Sequence, residues 1–163
     1  MNYVLSYLSL VFLYFFQNTS SRYIEILGIA PDLVFVFAVC YSMYNFPVRS
    51  AVLCAVAGLL VDLYSGSYIG VNALLYMYIG IGISNFASSL IRKNMLTTVC
   101  GVLVVSAVYH LVILLVCYVI PEKTAFWYPL ARIVIPTAVY DSVVTLVISL
   151  WAKKLSTNTV RGL

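Results

Sequence analysis

The stretch from Leu96 to Ile120 reads LTTVCGVLVVSAVYHLVILLVCYVI. Its one ionisable side chain, apart from tyrosine and cysteine, is His110. Runs of roughly 17–25 apolar residues are long enough to cross a bilayer as helices. Similar runs lie near residues 2–17, 29–46, 49–65, 70–90, 95–120 and 127–151. They are apolar on every face, whereas barrel strands alternate in polarity. The sequence therefore predicts an all-α integral membrane protein, a bundle of about six transmembrane helices.

The composition also indicates a protein of the lipid bilayer. Hydrophobic residues make up 64% of the 163-residue chain and charged residues 9%, whereas globular domains are about half apolar and about a quarter charged. A soluble chain of this size could not bury so much apolar surface. Little sequence remains outside the six runs, so residues 1–163 predict a single transmembrane helical domain. The net charge of +4 is explained by topology and does not require a nucleic-acid partner.

The basic residues indicate the orientation, because lysine and arginine concentrate in cytoplasmic loops. With a cytoplasmic N-terminus, the inner side holds most of them: Arg49, Arg92, Lys93, Lys153, Lys154 and Arg161. The outer side holds Arg22 and Lys123. This bias predicts a multi-pass protein with both termini in the cytoplasm.

Small residues on the third and fourth helices predict a close pair, because in lipid they let two backbones approach. They are Ala51, Ala55, Ala57 and Gly58 on the third helix, and Gly80, Gly82 and Ser84 on the fourth. We expect this hairpin to lie at the centre of the bundle. Gly66 and Gly70 supply backbone freedom for its short outer turn. Asn72 is placed to bond the turn or the first part of the fourth helix.

Pro31 and Asp32 mark the start of the second helix. Proline is favoured in the first turn of a helix. An aspartate there suits both a capping role and the dipole of the helix N-terminus.

The remaining motifs do not indicate an enzyme. The four cysteines, Cys40, Cys54, Cys100 and Cys117, lie inside the apolar runs without metal-type spacing, and we expect them to be small packing residues. A single histidine excludes a histidine-based metal cluster. Motifs for hydrolases, metalloproteases, phosphate loops and dinucleotide binding are absent from the sequence. We therefore expect no catalytic residues, no cofactor and no metal.

Ionisable residues inside the membrane are costly, and they indicate either function or buried pairing. A rise of 1.5 Å per residue places Asp62 and His110 about 21 Å, and Arg132 about 22 Å, from the inner boundary. The structural interpretation pairs Asp62 with Arg132 and gives His110 a hydrogen bond nearby. The functional interpretation is a proton or ion pathway.

Asp141 is a fourth ionisable residue, about 9 Å from the inner boundary and therefore level with none of the other three. It could bond to serine, threonine or backbone, or it could meet the helix of a partner protein. Intramembrane proteolysis by paired aspartates requires two acids at one depth, and the depths of Asp62 and Asp141 differ by about 12 Å.

Short motifs occur in a characteristic order along nearly the whole chain. They are QNT at 17–19, PDLV at 31–34, AGLLVD at 57–62 and IGVNALLY at 69–76, with Gly66 and Gly80 between and after them. This order resembles the rod shape-determining protein MreD family of bacteria. Pro136 with Tyr140 and Asp141 is similar to a Pro–Tyr–Asn pattern of that family, with aspartate in place of the usual asparagine.

The resemblance implies a non-enzymatic scaffold subunit of the cell-elongation machinery in the bacterial plasma membrane. Its expected partners are the bitopic protein MreC, actin-like MreB filaments and the glycosyltransferase–transpeptidase pair that synthesises peptidoglycan. The fold is also similar to the substrate-binding subunits of energy-coupling-factor vitamin transporters. The alternative function is therefore a small-molecule binding subunit, with an outward-facing pocket lined by Asp32, Asp62, Tyr68, Asn72, His110 and Arg132.

Overall fold

The structure, a computed structural model, describes residues 2–24, 31–65, 70–90, 95–119 and 134–160. Within these ranges the chain forms helices and no strand. The helices are α1 Asn2–Ile24, α2 Leu33–Tyr44, α3 Pro47–Ser65, α4 Val71–Leu90, α5 Met95–Val119 and α6 Ile135–Val160. The all-α fold class is thus confirmed for the described part of the chain.

Within the described residues, two helices are long and apolar enough to cross a membrane. These are Pro47–Tyr64 in α3 and Thr98–Val116 in α5. The apolar stretches of the other helices are shorter: Val4–Thr19, Leu33–Tyr44, Val71–Phe86 and Ile135–Leu150. Six complete membrane crossings therefore stay a prediction.

The centre of the bundle is α2, which contacts each of the other five helices. Every residue from Leu33 to Ser42 is buried, as is typical of a helix that is apolar around its whole circumference. With 12 residues, α2 is about 18 Å long, well short of a hydrocarbon core about 30 Å thick. Pro31, just before the helix, is buried as well. The N-terminus of α2 must therefore find its hydrogen-bond partners inside the protein.

The most extensive contact between two helices is that of α3 with α4, which confirms the predicted hairpin. A Cβ atom on Gly58 would collide with the backbone at the start of α4. A Cβ atom on Gly80 would lie 2.6 Å from Sγ of Cys54. Gly82, in contrast, has no atom within 4 Å of its Cβ position. Two of the small residues thus mark the helix contact, and Gly82 lies outside it.

The predicted position of this hairpin at the centre of the bundle is wrong, because α2 occupies the centre. Small residues are needed where two backbones touch, whereas a central helix is covered by its neighbours and can carry large side chains. Phe35 and Phe37 of α2 are both fully buried. In α3 and α4, Leu63 is 69% exposed and Tyr78 is 67% exposed.

Both terminal helices extend beyond their predicted ends. α1 continues to Ile24, so the polar segment at 17–21 is helical and does not end the helix. α6 continues to Val160, through Lys153 and Lys154. Extending an existing helix adds one hydrogen bond for each residue that is fixed, so polar residues can prolong it. The predicted start of the last helix, at 127, lies outside the described residues.

The packing role expected of the cysteines holds for two of them. Cys40 and Cys54 are buried, and Sγ of Cys54 lies 3.2 Å from Oγ of Ser42. Cys100 is exposed, so its predicted packing role is wrong. The side chain of Cys117 lies outside the described residues.

Candidate functional site

Polar side chains collect at the end of the bundle where α2, α4 and α6 begin. Consecutive helices run in opposite directions, so the C-terminal halves of α1, α3 and α5 lie at the same end. We call this set the polar cluster. Its members are Gln17, Asp32, Asp62, Asn72, Tyr76, Ser106, Tyr109, His110 and Asp141.

Asp32, just before α2, and side chains from two other helices supply the acceptors that cap the N-terminus of α2. The first four N–H groups of a helix have no partner within it. Oδ1 of Asp32 accepts from the N–H of Phe35 at 3.0 Å, which confirms the predicted cap. Oε1 of Gln17, in α1, accepts from the N–H of Val34 at 3.1 Å. Oδ1 of Asp141, in α6, accepts from the N–H of Asp32 at 2.9 Å.

The other oxygen of the Asp32 carboxylate, Oδ2, accepts a hydrogen bond from a tyrosine that belongs to a group of packed aromatic rings. The hydroxyl of Tyr76 donates to Oδ2 of Asp32 at 2.8 Å, and Nε2 of Gln17 lies 3.5 Å from Oδ1. The ring of Phe35 stacks on Tyr109 with centroids 4.7 Å apart and meets Tyr76 edge-on at 5.2 Å. These rings fill the space among α2, α4 and α5 and enclose the capped helix end.

Asp62 caps the N-terminus of α4 from the neighbouring helix α3. Its Oδ2 accepts from the N–H groups of Gly70 at 2.9 Å and Ala73 at 3.1 Å, and its Oδ1 accepts from that of Asn72 at 3.2 Å. The carboxylate is 1% exposed, and a negative charge is favourable at a helix N-terminus. Gly70 has a φ of +101°, which confirms its predicted use in the turn.

Arg132, the predicted partner of Asp62, and Gly66, predicted to act in the outer turn, lie outside the described residues. The Asp62–Arg132 pair and the role of Gly66 therefore stay predictions. Asn72 joins the start of α4 through its backbone N–H, as expected. Its side chain extends further, because Oδ1 of Asn72 accepts from the hydroxyl of Tyr109 at 2.8 Å and so links α4 to α5.

Asp141 bonds to serine and backbone, as one of its two interpretations predicted. Oγ of Ser106 donates to its Oδ2, and its Oδ1 accepts from the backbone of Asp32. Its predicted separation from the other ionisable residues is wrong, because Ser106 lies within hydrogen-bond distance of both Asp141 and His110 and Asp141 also accepts from Asp32. Asp141 lies in the second turn of α6, which runs from Ile135 to Val160. The prediction had counted its position from a helix start near residue 127, and its depth in the membrane stays a prediction.

The hydrogen bonds shown for His110 go to Ser106, one turn earlier in α5. Nδ1 lies 2.8 Å from the carbonyl oxygen of Ser106 and 3.2 Å from its Oγ. A carbonyl only accepts, so Nδ1 carries the proton in the bond to it. In the neutral ring Nε2 is then an acceptor. Ser106 thus links His110 to Asp141, whereas the hydrogen bond predicted for His110 beside an Asp62–Arg132 pair stays a prediction.

A partly open cavity of about 260 Å³ lies beside the start of α2. Its lining comes from α1, α2, α3 and α5: Tyr14, Gln17, Asn18, Pro31, Asp32, Val34, Val61, Tyr64 and His110. Of the residues predicted to line a pocket, Asp32 and His110 do so. Asp62 and Asn72 do not, because they serve the α3–α4 junction. Tyr68 and Arg132 lie outside the described residues.

Comparison with models of known protein families identifies the family of this chain. The family model of the rod shape-determining protein MreD matches residues 1–158. The chain belongs to the MreD family. It is therefore a membrane protein involved in rod shape determination, a structural component of the machinery that in general includes MreC and MreB. No curated protein and no solved structure matches the chain significantly.

Four members of the polar cluster in this MreD-family chain were not predicted from the sequence to belong to a site: Gln17, Tyr76, Ser106 and Tyr109. Tyr76 and Tyr109 lie within apolar runs, where they resemble other aromatic residues facing lipid or core. Ser106 precedes His110 by one helical turn, and that spacing is a usable signal. Gln17 ends the first apolar run and so resembled an interfacial residue.

The carboxylate oxygens of the MreD-family site accept hydrogen bonds within the protein. Asp32 and Asp141 lie side by side, so the depth argument against a pair of acids fails for them. Their oxygens, however, accept from backbone N–H groups and from the hydroxyls of Tyr76 and Ser106. Among the described side chains, no three His, Cys, Asp or Glu residues come together to hold a metal ion.

Proposed function

We propose that this chain is a non-enzymatic scaffold subunit of the bacterial cell-elongation machinery. It binds an MreC-type bitopic protein and helps to organise peptidoglycan synthesis beside MreB-type filaments and the glycosyltransferase–transpeptidase pair. Membership of the MreD family supports the setting. One observation carries the scaffold role: Asp32, Asp62 and Asp141 each accept hydrogen bonds from a helix N-terminus. Their carboxylates hold the bundle together.

The exposed surface suits partners that lie in the membrane. Large apolar side chains are exposed on several helices, among them Phe12 on α1, Leu63 on α3 and Val147 on α6, at 61%, 69% and 73%. The connection between α2 and α3 consists of Asn45 and Phe46 alone, too short to dock a soluble domain. A partner therefore binds mainly through the lipid-facing helices.

Both termini lie in the cytoplasm in this proposal, and the polar cluster lies toward the outer face. A fluorescent protein that matures only in the cytoplasm, fused after Leu163, is expected to be fluorescent. Alkaline phosphatase, which is active only outside the cytoplasm, is expected to be inactive at the same position. An active phosphatase fusion together with a non-fluorescent fluorescent-protein fusion would place the C-terminus outside the cytoplasm and contradict this orientation.

Depletion in the rod-shaped host tests the function. Depleted cells are expected to become round, and a wild-type copy is expected to restore rods. A copy with Asp62→Ala should fail because its bundle is destabilised, whereas Gly82→Ala, at an open position, should restore shape. Normal rods with unchanged localisation of wall synthesis after depletion would contradict the proposal.

Site-specific crosslinking tests the partner. Photoreactive residues at Phe12, Leu63 and Val147 sample three exposed faces, and one at the fully buried Val36 is the internal control. Co-purification with an MreC-type protein and crosslinks from at least one exposed face are expected. Crosslinks from none of the exposed faces, together with no co-purification, would contradict direct binding.

A substrate-binding subunit of a small-molecule transporter is the second candidate function. The cavity beside Asp32 and His110 favours it, although about 260 Å³ is below the 300–1,000 Å³ typical of ligand pockets. Vitamin binding by the purified protein, measured by calorimetry, would support this function. Saturable binding without any change of cell shape on depletion would favour it over the scaffold.

A further inference from the structure

Asp32 lines the cavity beside the start of α2, and its carboxylate can accept further hydrogen bonds. Asp32 is half-buried there, and an ionised carboxylate offers about four acceptor positions. The N–H of Phe35 and the hydroxyl of Tyr76 occupy two of them, and the amide of Gln17 approaches at 3.5 Å. A donor in the cavity can therefore still bind Asp32.

His110 also lines the cavity and can supply a second hydrogen-bond acceptor. Nδ1 of His110 donates to the carbonyl of Ser106, so the neutral ring offers Nε2 as an acceptor. Asp32 is the one charged side chain among the described lining residues. A carboxylate and an acceptor nitrogen in one small cavity favour a ligand that donates hydrogen bonds and carries positive charge. A charge-assisted bond of this kind is about twice as strong as a neutral one.

The surroundings of the cavity indicate that this ligand is an amphiphile. Two tyrosines line it, Tyr14 on α1 and Tyr64 on α3, and tyrosine is enriched where membrane meets water. Beside them on the same helices, Phe15 and Leu63 are 63% and 69% exposed. A volume of about 260 Å³ suits a polar headgroup whose chains lie outside, along the apolar helix faces.

We propose that this cavity binds the headgroup of an aminophospholipid, with its primary ammonium donating to Asp32 and to Nε2 of His110. Tyr14, Asn18 and Tyr64 carry N–H or O–H donors suited to the adjoining phosphate. Binding requires only that the chain lies in a membrane. It therefore goes beyond the scaffold role, and it stands whether or not an MreC-type protein is the partner.

Lipid retention by the purified protein tests the proposal. The full chain is exchanged into nanodiscs with equal amounts of phosphatidylethanolamine, phosphatidylcholine and phosphatidylglycerol of matched chains, and bound lipid is identified by native mass spectrometry. Phosphatidylcholine is the matched control, because its ammonium has no N–H donor. Phosphatidylethanolamine is expected to be enriched. Asp32→Asn, which keeps one capping oxygen, should lower its retention about tenfold, the effect of one hydrogen bond to a charged group.

A cavity-filling variant separates lipid binding from capping. Val61→Phe narrows the cavity and leaves every capping residue in place, whereas Val147→Phe makes the same change at a position 73% exposed on α6. Retention should fall with the first variant and remain with the second. If Asp32→Asn does not fold, this pair of variants decides.

Three results would overturn the proposal. The first is equal retention of phosphatidylethanolamine and phosphatidylcholine, since the ammonium donors would then not be recognised. The second is a preference for phosphatidylglycerol, which would indicate an anion site. The third is displacement of the lipid by an equal concentration of free ethanolamine, which would assign the site to a soluble amine.

Discussion

The N-termini of α2 and α4 lie at the same end of the bundle, and carboxylates cap both, but the caps come from different distances along the chain. Asp62 caps α4 from the helix just before it, through residues 70 to 73. α2 is capped by Asp32 itself, by Gln17 on α1 and by Asp141, which is 109 residues away. The acceptors at the start of α4 come from within the α3–α4 hairpin. Those at the start of α2 come from Asp32 and from α1 and α6.

This difference separates a local unit from an assembled one. The α3–α4 hairpin contains its own capping carboxylate and its own close contact at Gly58, so it can form before the rest of the bundle. The N–H groups of Asp32 and Val34 at the start of α2 have these acceptors only when α6 and α1 have packed against it. Unpaired N–H groups in lipid are costly, so placement of α1 and α6 and formation of the first turn of α2 stabilise each other.

The largest expected effect is that of Asp62→Ala. Three part-buried N–H groups lose their acceptor, and each unsatisfied group costs about 1–3 kcal/mol, so the free energy of unfolding should fall by about 3 kcal/mol. Denaturant titration in mixed micelles measures it. Asp62→Asn keeps one accepting oxygen, so its free energy of unfolding should lie between those of wild type and Asp62→Ala. Equal stability of wild type and Asp62→Ala would contradict the local cap.

Gly58→Ala tests the close contact on which that cap depends. Gly58 precedes Asp62 by one turn on the same face of α3, and an added Cβ meets the backbone of α4. Overpacking of this kind should lower the free energy of unfolding by up to about 3 kcal/mol. Gly82→Ala is the matched control in α4, and it should raise stability by at most about 1 kcal/mol through helix propensity. Identical behaviour of the two variants would contradict the close contact.

Asp141→Ala tests the assembled cap. The N–H of Asp32 and the hydroxyl of Ser106 lose their acceptor, which should lower the free energy of unfolding by about 2 kcal/mol. An amide can accept from the N–H and donate to the reoriented hydroxyl, so Asp141→Asn should change stability by less than about 1 kcal/mol. A loss as large for asparagine as for alanine would show that the charge, and not the hydrogen bonding, is what this position needs.

The smallest expected effect is that of Gln17→Ala, which removes the acceptor for the N–H of Val34. α2 keeps Asp32 and Asp141, so the free energy of unfolding should fall by about 1 kcal/mol. Gln17→Glu retains an accepting oxygen but places a third acid beside Asp32 and Asp141. It should therefore be no more stable than Gln17→Ala. A glutamate variant as stable as wild type would contradict this account of the charge around α2.

The two helix starts also differ in how far the sequence predicted them. The cap by Asp32 and the turn at Gly70 were predictable, because both depend on neighbouring residues and on backbone preferences. The α3–α4 contact was predictable from small residues. The position of Asp141 was not, because it depends on which residues of α2 and α5 pack against the start of α6. The contributions of Gln17, Tyr76 and Ser106 arise only from packing between distant helices.

Backbone amide exchange measured separately at the two helix starts tests the central claim most directly. Mass spectrometry of peptides covering 31–36 and 70–75 should show faster exchange at the start of α2 alone in Asp141→Ala. The increase should be confined to the start of α4 in Asp62→Ala. Exchange that rises equally at both starts in either variant, or at neither, would contradict the claim that these buried acids serve as separate helix caps.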